Sequence, residues 1–484
     1  MADRVLIVSF DALRPEMATA ELMPNLSRFA ADGARFRRSR STFPTETRVN
    51  QTALIAGCYP ARHGIVGNRF LDAAASPDAL FNTGDETQLS EGDRRLGGKL
   101  VDVPVLGELL ADAGLTYAVI STGTAGGTRM LHHKAEAIGG FRLSLQRPDA
   151  TVPAGAIDEI TRRFGPIPPA AVPSLDWLGY ATDVYLDYIE PELAPDVMVL
   201  WYCEPDNSYH QLGIGSAGNI AALRRVDAEF GRILGRQDML DPEDRLHIVT
   251  MSDHGMVTIA GGRVDIAAEL EAAGFSVGET TFEGADSALA LSSAGGIYVR
   301  DSDPELIARI RDWLQAQPWC GVLSTRTGEG TLRHADLGID HPRAPDIGLV
   351  LGCDDAVNQH GHAGSTLLYK AKYPDGGGMH GGLSAIELST WLAIGGPAAA
   401  AGANSDLPAG NVDLLPTILH LLGLHAPDHI EGRVLREGLA EFAGEAPPEV
   451  EIETLSAEGA GGYRAHLTVE RVGGTRYLQR AWID

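Results

Sequence analysis

Five short runs of apolar, largely β-branched residues constrain this chain more than any other feature. They are RVLIVSF (4–10), TYAVIST (116–122), DVMVLWY (196–202), LHIVTMS (246–252) and STWLAIG (389–395). A strand with one wet face alternates apolar and polar residues, whereas a continuous apolar run means burial on both faces. Between the runs lie helical patterns such as NIAALRRVDAEFGRILGRQ (219–237) and NVDLLPTILHLLGL (411–424). Buried strands alternating with amphipathic helices predict an α/β fold with a mostly parallel central sheet and helices on both faces. The strand order is not readable from this alternation.

With 484 residues the chain exceeds one small core. The central α/β unit is expected over 1–260 and 346–440. Residues 261–345 read differently: ALALSSAGGIYVRD followed by DPELIARIRDWLQAQ predicts a small, cap-like α+β insertion. In 441–484, the segment YRAHLTVERVGGTRYLQRAWID holds two alternating runs around Gly473 and Gly474, which predict a hairpin.

The formal net charge of -26 argues against nucleic acid as a stable partner and against an anionic membrane surface. A small anion stays compatible, because bound cations reverse the field inside a pocket. No run approaches the about 18 apolar residues of a membrane span. The opening MADRVLIVSFDALRPEM lacks a signal-peptide pattern, so a cytoplasmic location is expected. The four cysteines form no C-x-x-C pair, and Cys203, Cys320 and Cys353 read as inert buried thiols. Homo-oligomerisation is left open.

Three of the strands run into polar residues. Asp11 follows the first, CEPDNSYH the third and DHG the fourth. In open α/β sheets, ligands bind just beyond the carboxyl ends of the strands, so these clusters should meet in one crevice. Asp206 and His210 are four apart and share a face if they form one helical turn. Asp253 and His254 sit in a tight SDHG turn, where Gly255 offers an unusual backbone angle. His380 lies in GGGMHGG, whose glycines allow close backbone approach. Carboxylates and imidazoles are ligands that suit zinc. Thr47 opens the helical segment TETRVNQTALIAG, where free N–H groups favour an anion, and Asn50 shares its face. A threonine hydroxyl is a poor nucleophile until a dication lowers its pKa. Weaker candidates for lining the crevice are Tyr209, His132, His133, His360 and His362. Trp201 and Tyr202 read as sheet core.

The segments VSFDALRPE, FPTETRVNQTALIAGCYPARHGIVGN, EPDNSYHQLG, SDHGM and GMHGG, in this order, span residues 7–382. Together they resemble the alkaline phosphatase superfamily, and within it the nucleotide pyrophosphatase/phosphodiesterase branch. The resemblance implies a hydrolase of phosphodiester or pyrophosphate-type bonds, acting on a small anionic phosphoryl-containing substrate through a covalent phosphoryl-threonine. It also implies two divalent metal ions, with zinc the expected metal. Asp206, His210 and His380 would hold one ion; Asp11, Asp253 and His254 would hold the other, with the Thr47 oxygen. Asn50 would donate to a phosphoryl oxygen.

Nucleotide-cleaving relatives usually place an aromatic residue after the nucleophile, and here Arg48 follows. A guanidinium can stack on a base, clamp a second anionic group, or join a surface ion pair. Two other superfamily activities therefore stay in view: a phosphonate hydrolase resembling phosphonoacetate hydrolase, and a phosphomutase. One further pattern competes for the nucleophile. Cys58 to Arg62 reads C-x-P-x-R, which resembles the sulfatase modification signal. By register, however, GCYPARHG resembles the turn at the far end of the sulfatase helix, and Thr47, eleven positions earlier, stands where the sulfatase cysteine would. The match at Cys58 is read as coincidence.

Overall fold

The computed structural model describes residues 3–240, 244–278, 281–282 and 284–484. The five apolar runs all lie in one nine-stranded sheet, the last broken at Trp391. Its order is Ser389–Thr390, Ala34–Arg40, Leu392–Gly395, Leu246–Met251, Arg4–Phe10, Val197–Tyr202, Tyr117–Ser121, Phe141–Ser144, and Ala403–Gly410 also pairs with Ala34–Arg40. The strands from Leu246–Met251 to Phe141–Ser144 are parallel. Leu392–Gly395 runs antiparallel to Leu246–Met251. Its composition matches that of the parallel strands, so its direction comes from the connections and not from its residues.

Side-chain parity builds the layers. Val5, Ile7, Val197, Val199 and Trp201 point to one face, where they meet the helices Thr47–Ala56, Leu106–Asp112 and Leu414–Leu421. Leu6, Val8, Phe10, Leu200 and Tyr202 point to the other, against Pro24–Asp32, Leu175–Val184 and Ala217–Gln237. Successive residues face opposite sides, so a strand covered on both must be apolar throughout. The helix Ala217–Gln237 starts where the Ser216 side chain accepts from the Asn219 N–H. The helix Thr47–Ala56 stops at Gly57, whose φ of 65° is left-handed.

After Met251 the chain leaves the central sheet and rejoins it at Ser389. The excursion builds a six-stranded sheet from Val277–Gly278, Ser287–Leu291, Ala294–Val299, Ile347–Leu351, Cys320–Thr325 and Leu332–Arg333. The strand Ile347–Leu351 lies past residue 345, where the sequence pattern places the end of the insertion. Its apolar run suits either sheet, and its antiparallel pairing with Ala294–Val299 and Cys320–Thr325 decides between them. A four-stranded sheet then joins Val257–Arg263 to Ala363–Leu368 and Gly378–Met379. The tail hairpin Arg464–Val472/Thr475–Ile483 gains a third strand, Val450–Glu458, which is mostly exposed and so carries no apolar signature. Leu467, Val469 and Leu478 of the tail share a core with Ile297, Leu323 and Leu349 of the six-stranded sheet. Among the described residues, no helix is long and apolar enough to cross a membrane.

The ring of Phe230 meets Phe10 and Phe29 edge-on, at centroid distances of 5.7 and 5.3 Å. This contact locks the long helix to the first strand, whose end carries Asp11. Phe230→Ala is expected to cost about 3–5 kcal/mol, measured as a lowered unfolding midpoint in urea.

Candidate active site

The register of three adjacent strands places the site. Val5 pairs with Val197 and Phe10 with Tyr202, while Ser9 pairs with Met251. The strands therefore end level, and Asp11, Asp206 and Asp253 leave the same edge. The Asp206 N–H donates to the Asp11 carbonyl at 3.1 Å, and the Ala12 N–H to Asp253 Oδ1 at 3.0 Å.

Two triads form there. Asp206, His210 and His380 present ligand atoms within 4.8 Å of one another, and so do Asp11, Asp253 and His254. Asp206 and His210 occupy one face of the helix Asp206–Leu212, and their side chains approach to 3.4 Å. The rings of His254 and His380 stack at 3.8 Å, so the triads touch. Thr47 is the first residue of its helix, and its Oγ1 lies 3.3 Å from His254 Nε2.

The donor chemistry is specific. His210, His254 and His380 each hold Nδ1 against a backbone carbonyl, of Gly378, Gly255 and Thr45, at 2.7, 2.9 and 2.8 Å. A proton on Nδ1 leaves Nε2 with its lone pair turned inward, the tautomer that binds metal. Each carboxylate also keeps one bare oxygen. Asp11 Oδ1, Asp206 Oδ1 and Asp253 Oδ2 are buried without a hydrogen-bond partner. Asp11 Oδ2, by contrast, accepts from Trp201 Nε1 at 2.9 Å. Burial, then the facing Asp253 and Asp206, pushes Asp11 well above the ordinary carboxylate range. Burial also raises Asp253. For Asp206 burial acts the same way, but His210 and His380 outweigh it and hold its carboxyl low. Uncompensated buried charge of this kind is costly, and cations between the triads would relieve it.

A cleft of ≈ 660 Å³ opens onto His210 and His380. Phe43, Glu46, Arg48 and Asn68 line one side, and Leu289, Ala290 and Tyr298 of the six-stranded sheet line the other. Arg48, expected at the substrate, does line this cleft.

Asn50 requires a correction. It is fully buried and faces away from the cleft. Its Oδ1 accepts from the Thr42 N–H, the Thr42 hydroxyl and Asn411 Nδ2, and its Nδ2 is turned to the Thr42, Pro44 and Glu46 carbonyls. Three positions of separation does put it beside Thr47 on the helix, but the preceding loop claims its amide. Asn68 is the amide at the cleft: its Oδ1 takes the Arg48 N–H at 3.1 Å, and no described residue accepts from its Nδ2. In sequence it was only one residue of a glycine-flanked turn.

Other expectations also change. Gly255 needs no unusual φ; a Cβ there would stand 2.0 Å from the Ile386 carbonyl oxygen, so close approach is its role. Tyr209 is buried among Ala12, Ile214 and Met256, away from the cleft. His132 packs on Tyr117, and His133 is buried; neither lines the cleft, nor do His360 and His362. Trp201 is sheet core, as its strand position suggests, but also orients Asp11, which strand parity could have shown. Cys58 sits in the main core beyond the far end of the helix from Thr47, and burial pushes its thiol up.

The type I phosphodiesterase / nucleotide pyrophosphatase family model matches residues 5–381. The chain is 26% identical over 254 residues to ectonucleotide pyrophosphatase/phosphodiesterase family member 3 of Bos taurus, covering 52% of this chain and 25% of that protein. It is 24% identical over 264 residues to bis(5'-adenosyl)-triphosphatase enpp4 of Xenopus laevis, covering 54% of this chain and 49% of that protein. The match thus spans between a quarter and a half of the length of these curated relatives. Among solved structures, murine ectonucleotide pyrophosphatase / phosphodiesterase 5, in an inactive form in complex with AMP, aligns with a TM-score of 0.60 at 16% identity. The alignment covers 88% of this chain and 96% of that one, and it establishes the alkaline phosphatase-like fold.

Asn50→Ala strips a buried hub of its bonds and is expected to cost about 1–3 kcal/mol of stability, read from urea unfolding. Native protein treated with iodoacetamide should keep an unmodified Cys58 by intact mass and peptide mapping. An aldehyde at that position would restore the sulfatase reading.

Proposed function

This chain belongs to the type I phosphodiesterase / nucleotide pyrophosphatase family, and from that premise we propose that it hydrolyses a phosphodiester or pyrophosphate-type bond with Thr47 as nucleophile. The observation that carries the reading is the set of three bare carboxylate oxygens facing three Nε2 atoms beside the Thr47 hydroxyl. That donor set fits two divalent cations, and its nitrogen and oxygen composition suits zinc. Asp206, His210 and His380 would hold one, and Asp11, Asp253 and His254 the other. Cations there supply the charge that keeps the Thr47 oxygen deprotonated and offsets the charge on the phosphoryl group.

The protein's own residues do the rest. The start of its helix holds the Thr47 oxygen beside His254. Asn68, in place of Asn50, donates to a phosphoryl oxygen. Thr47 Oγ1 forms a bond to phosphorus as the bond to the leaving oxygen breaks, and the leaving oxygen takes a proton from solvent. Water then bonds to phosphorus, the bond to Thr47 breaks, and the hydroxyl regains its proton. Net hydrolysis separates this course from a phosphomutase, which retains the phosphoryl group.

With zinc added, bis-p-nitrophenyl phosphate should be cleaved in preference to p-nitrophenyl phosphate; a strong monoester preference overturns the diesterase reading. Thr47→Ala should reduce turnover to background while metal analysis still finds both ions, and unchanged turnover would sink the mechanism. Chelation should abolish turnover and lower the thermal midpoint, with zinc restoring both, because ligands that bind only the folded state stabilise it.

A further inference from the structure

We propose that the cleft holds a second oxyanion subsite centred on Arg48, so that the substrate carries a carboxylate or a further phosphoryl group besides the one attacked by Thr47. The inference rests on the hydrolase reading for the position of the reacting group and adds the chemistry of the rest of the substrate.

The charge of the cleft is the first observation. The chain as a whole carries a formal net charge of -26, yet this cleft is lined by Arg48, Arg69, Lys370 and Lys372 against a single carboxylate, Glu46. A surface drawn at random from so acidic a chain would be acidic. Lys370 lies 3.5 Å from Asp265 and is partly accounted for. Arg48 is not: among the described residues no carboxylate stands within ion-pair distance of its guanidinium.

The second observation is how Arg48 is held. It directly follows Thr47 in the first turn of the helix, and its N–H is fixed on Asn68 Oδ1. Its Nε lies 3.5 Å from Thr83 Oγ1, and its guanidinium lies beside Gly84. Arg48 lines the cleft together with Glu46, His210 and Tyr373. A half-buried guanidinium without a counterion is a site waiting for one. Its planar fork matches the two oxygens of a carboxylate or phosphate. Arg69 and Lys372 are exposed at the same cleft and add attraction for an anion approaching it. Opposite them, Leu289, Ala290 and Tyr298 offer apolar contact to a short organic spacer.

Isothermal titration calorimetry on the zinc-loaded protein tests this with three ligands of similar size. Phosphonoacetate and methylenediphosphonate carry a second oxyanion, and propylphosphonate does not. At least one of the first two should bind about tenfold or more tightly than propylphosphonate. That advantage should collapse in Arg48→Gln and return in large part in Arg48→Lys. The better of the two identifies the second group as carboxylate or phosphoryl. Equal binding of all three ligands, or an advantage that survives Arg48→Gln because the second group sits on the metals, overturns the subsite. AMP binding more tightly than both, without dependence on Arg48, overturns it in favour of a base pocket. Hydrolysis of bis-p-nitrophenyl phosphate without the Arg48-dependent advantage leaves the hydrolase standing and removes the subsite. The advantage without hydrolysis does the reverse.

Discussion

Three buried carboxylates at the level ends of three adjacent parallel strands are the constraint on which this structure turns. Asp11, Asp206 and Asp253 are brought together by register, each sealed from water, and each with an oxygen that no protein donor satisfies. Left alone they would repel one another and lose hydration, a combination that burial ordinarily forbids. Three imidazoles surround them, each with Nδ1 against a backbone carbonyl and Nε2 left for the site. The arrangement makes sense as a cage for divalent charge, and the surrounding fold holds it in place against that repulsion.

The loop before Thr47 does much of this holding. The Thr45 carbonyl orients His380, and the Thr45 hydroxyl bridges the backbone of Gly381 and Gly382. Asn50 ties the same loop to Asn411, whose Nδ2 also donates to the Asp253 carbonyl at 2.7 Å. The loop before Thr47, one residue from each triad and a segment near residue 411 are thus joined by buried hydrogen bonds. Such networks rigidify when fully satisfied, and this one fixes Thr47 against the two triads. On the far side, the glycines before His380 let its strand press onto the helix of His210: a Cβ at Gly377 would stand 2.3 Å from the His210 carbonyl oxygen.

The residues at strand ends were legible because two local rules act on them. Apolar runs mark buried strands, and polar residues at their carboxyl ends mark a crevice. The spacing of Asp206 and His210 was legible because a helical turn is a local object. Asn50 was not, because sequence separation says which face a side chain shares but not which partner claims it. Tyr209 failed for the same reason, being taken into a small apolar cluster on the far side of its helix. Asn68 acts through partners distant in the chain, and no local pattern announces it. The strand Val450–Glu458 shows no apolar alternation because its face is solvated.

The sequence by itself determined the class of fold, the six ligand-type residues that gather in two triads, and that Thr47 and not Cys58 stands beside them. These follow from periodicity, spacing and side-chain chemistry, all of which are local. Only the tertiary structure decided that the fifth run is antiparallel, that Ile347–Leu351 pairs outside the central sheet, and that Asn68 replaces Asn50 at the cleft. It also decided where the guanidinium of Arg48 rests. Those outcomes depend on which distant groups compete for the same hydrogen bond, the same strand edge or the same counterion, and that competition is settled only when the whole chain is packed.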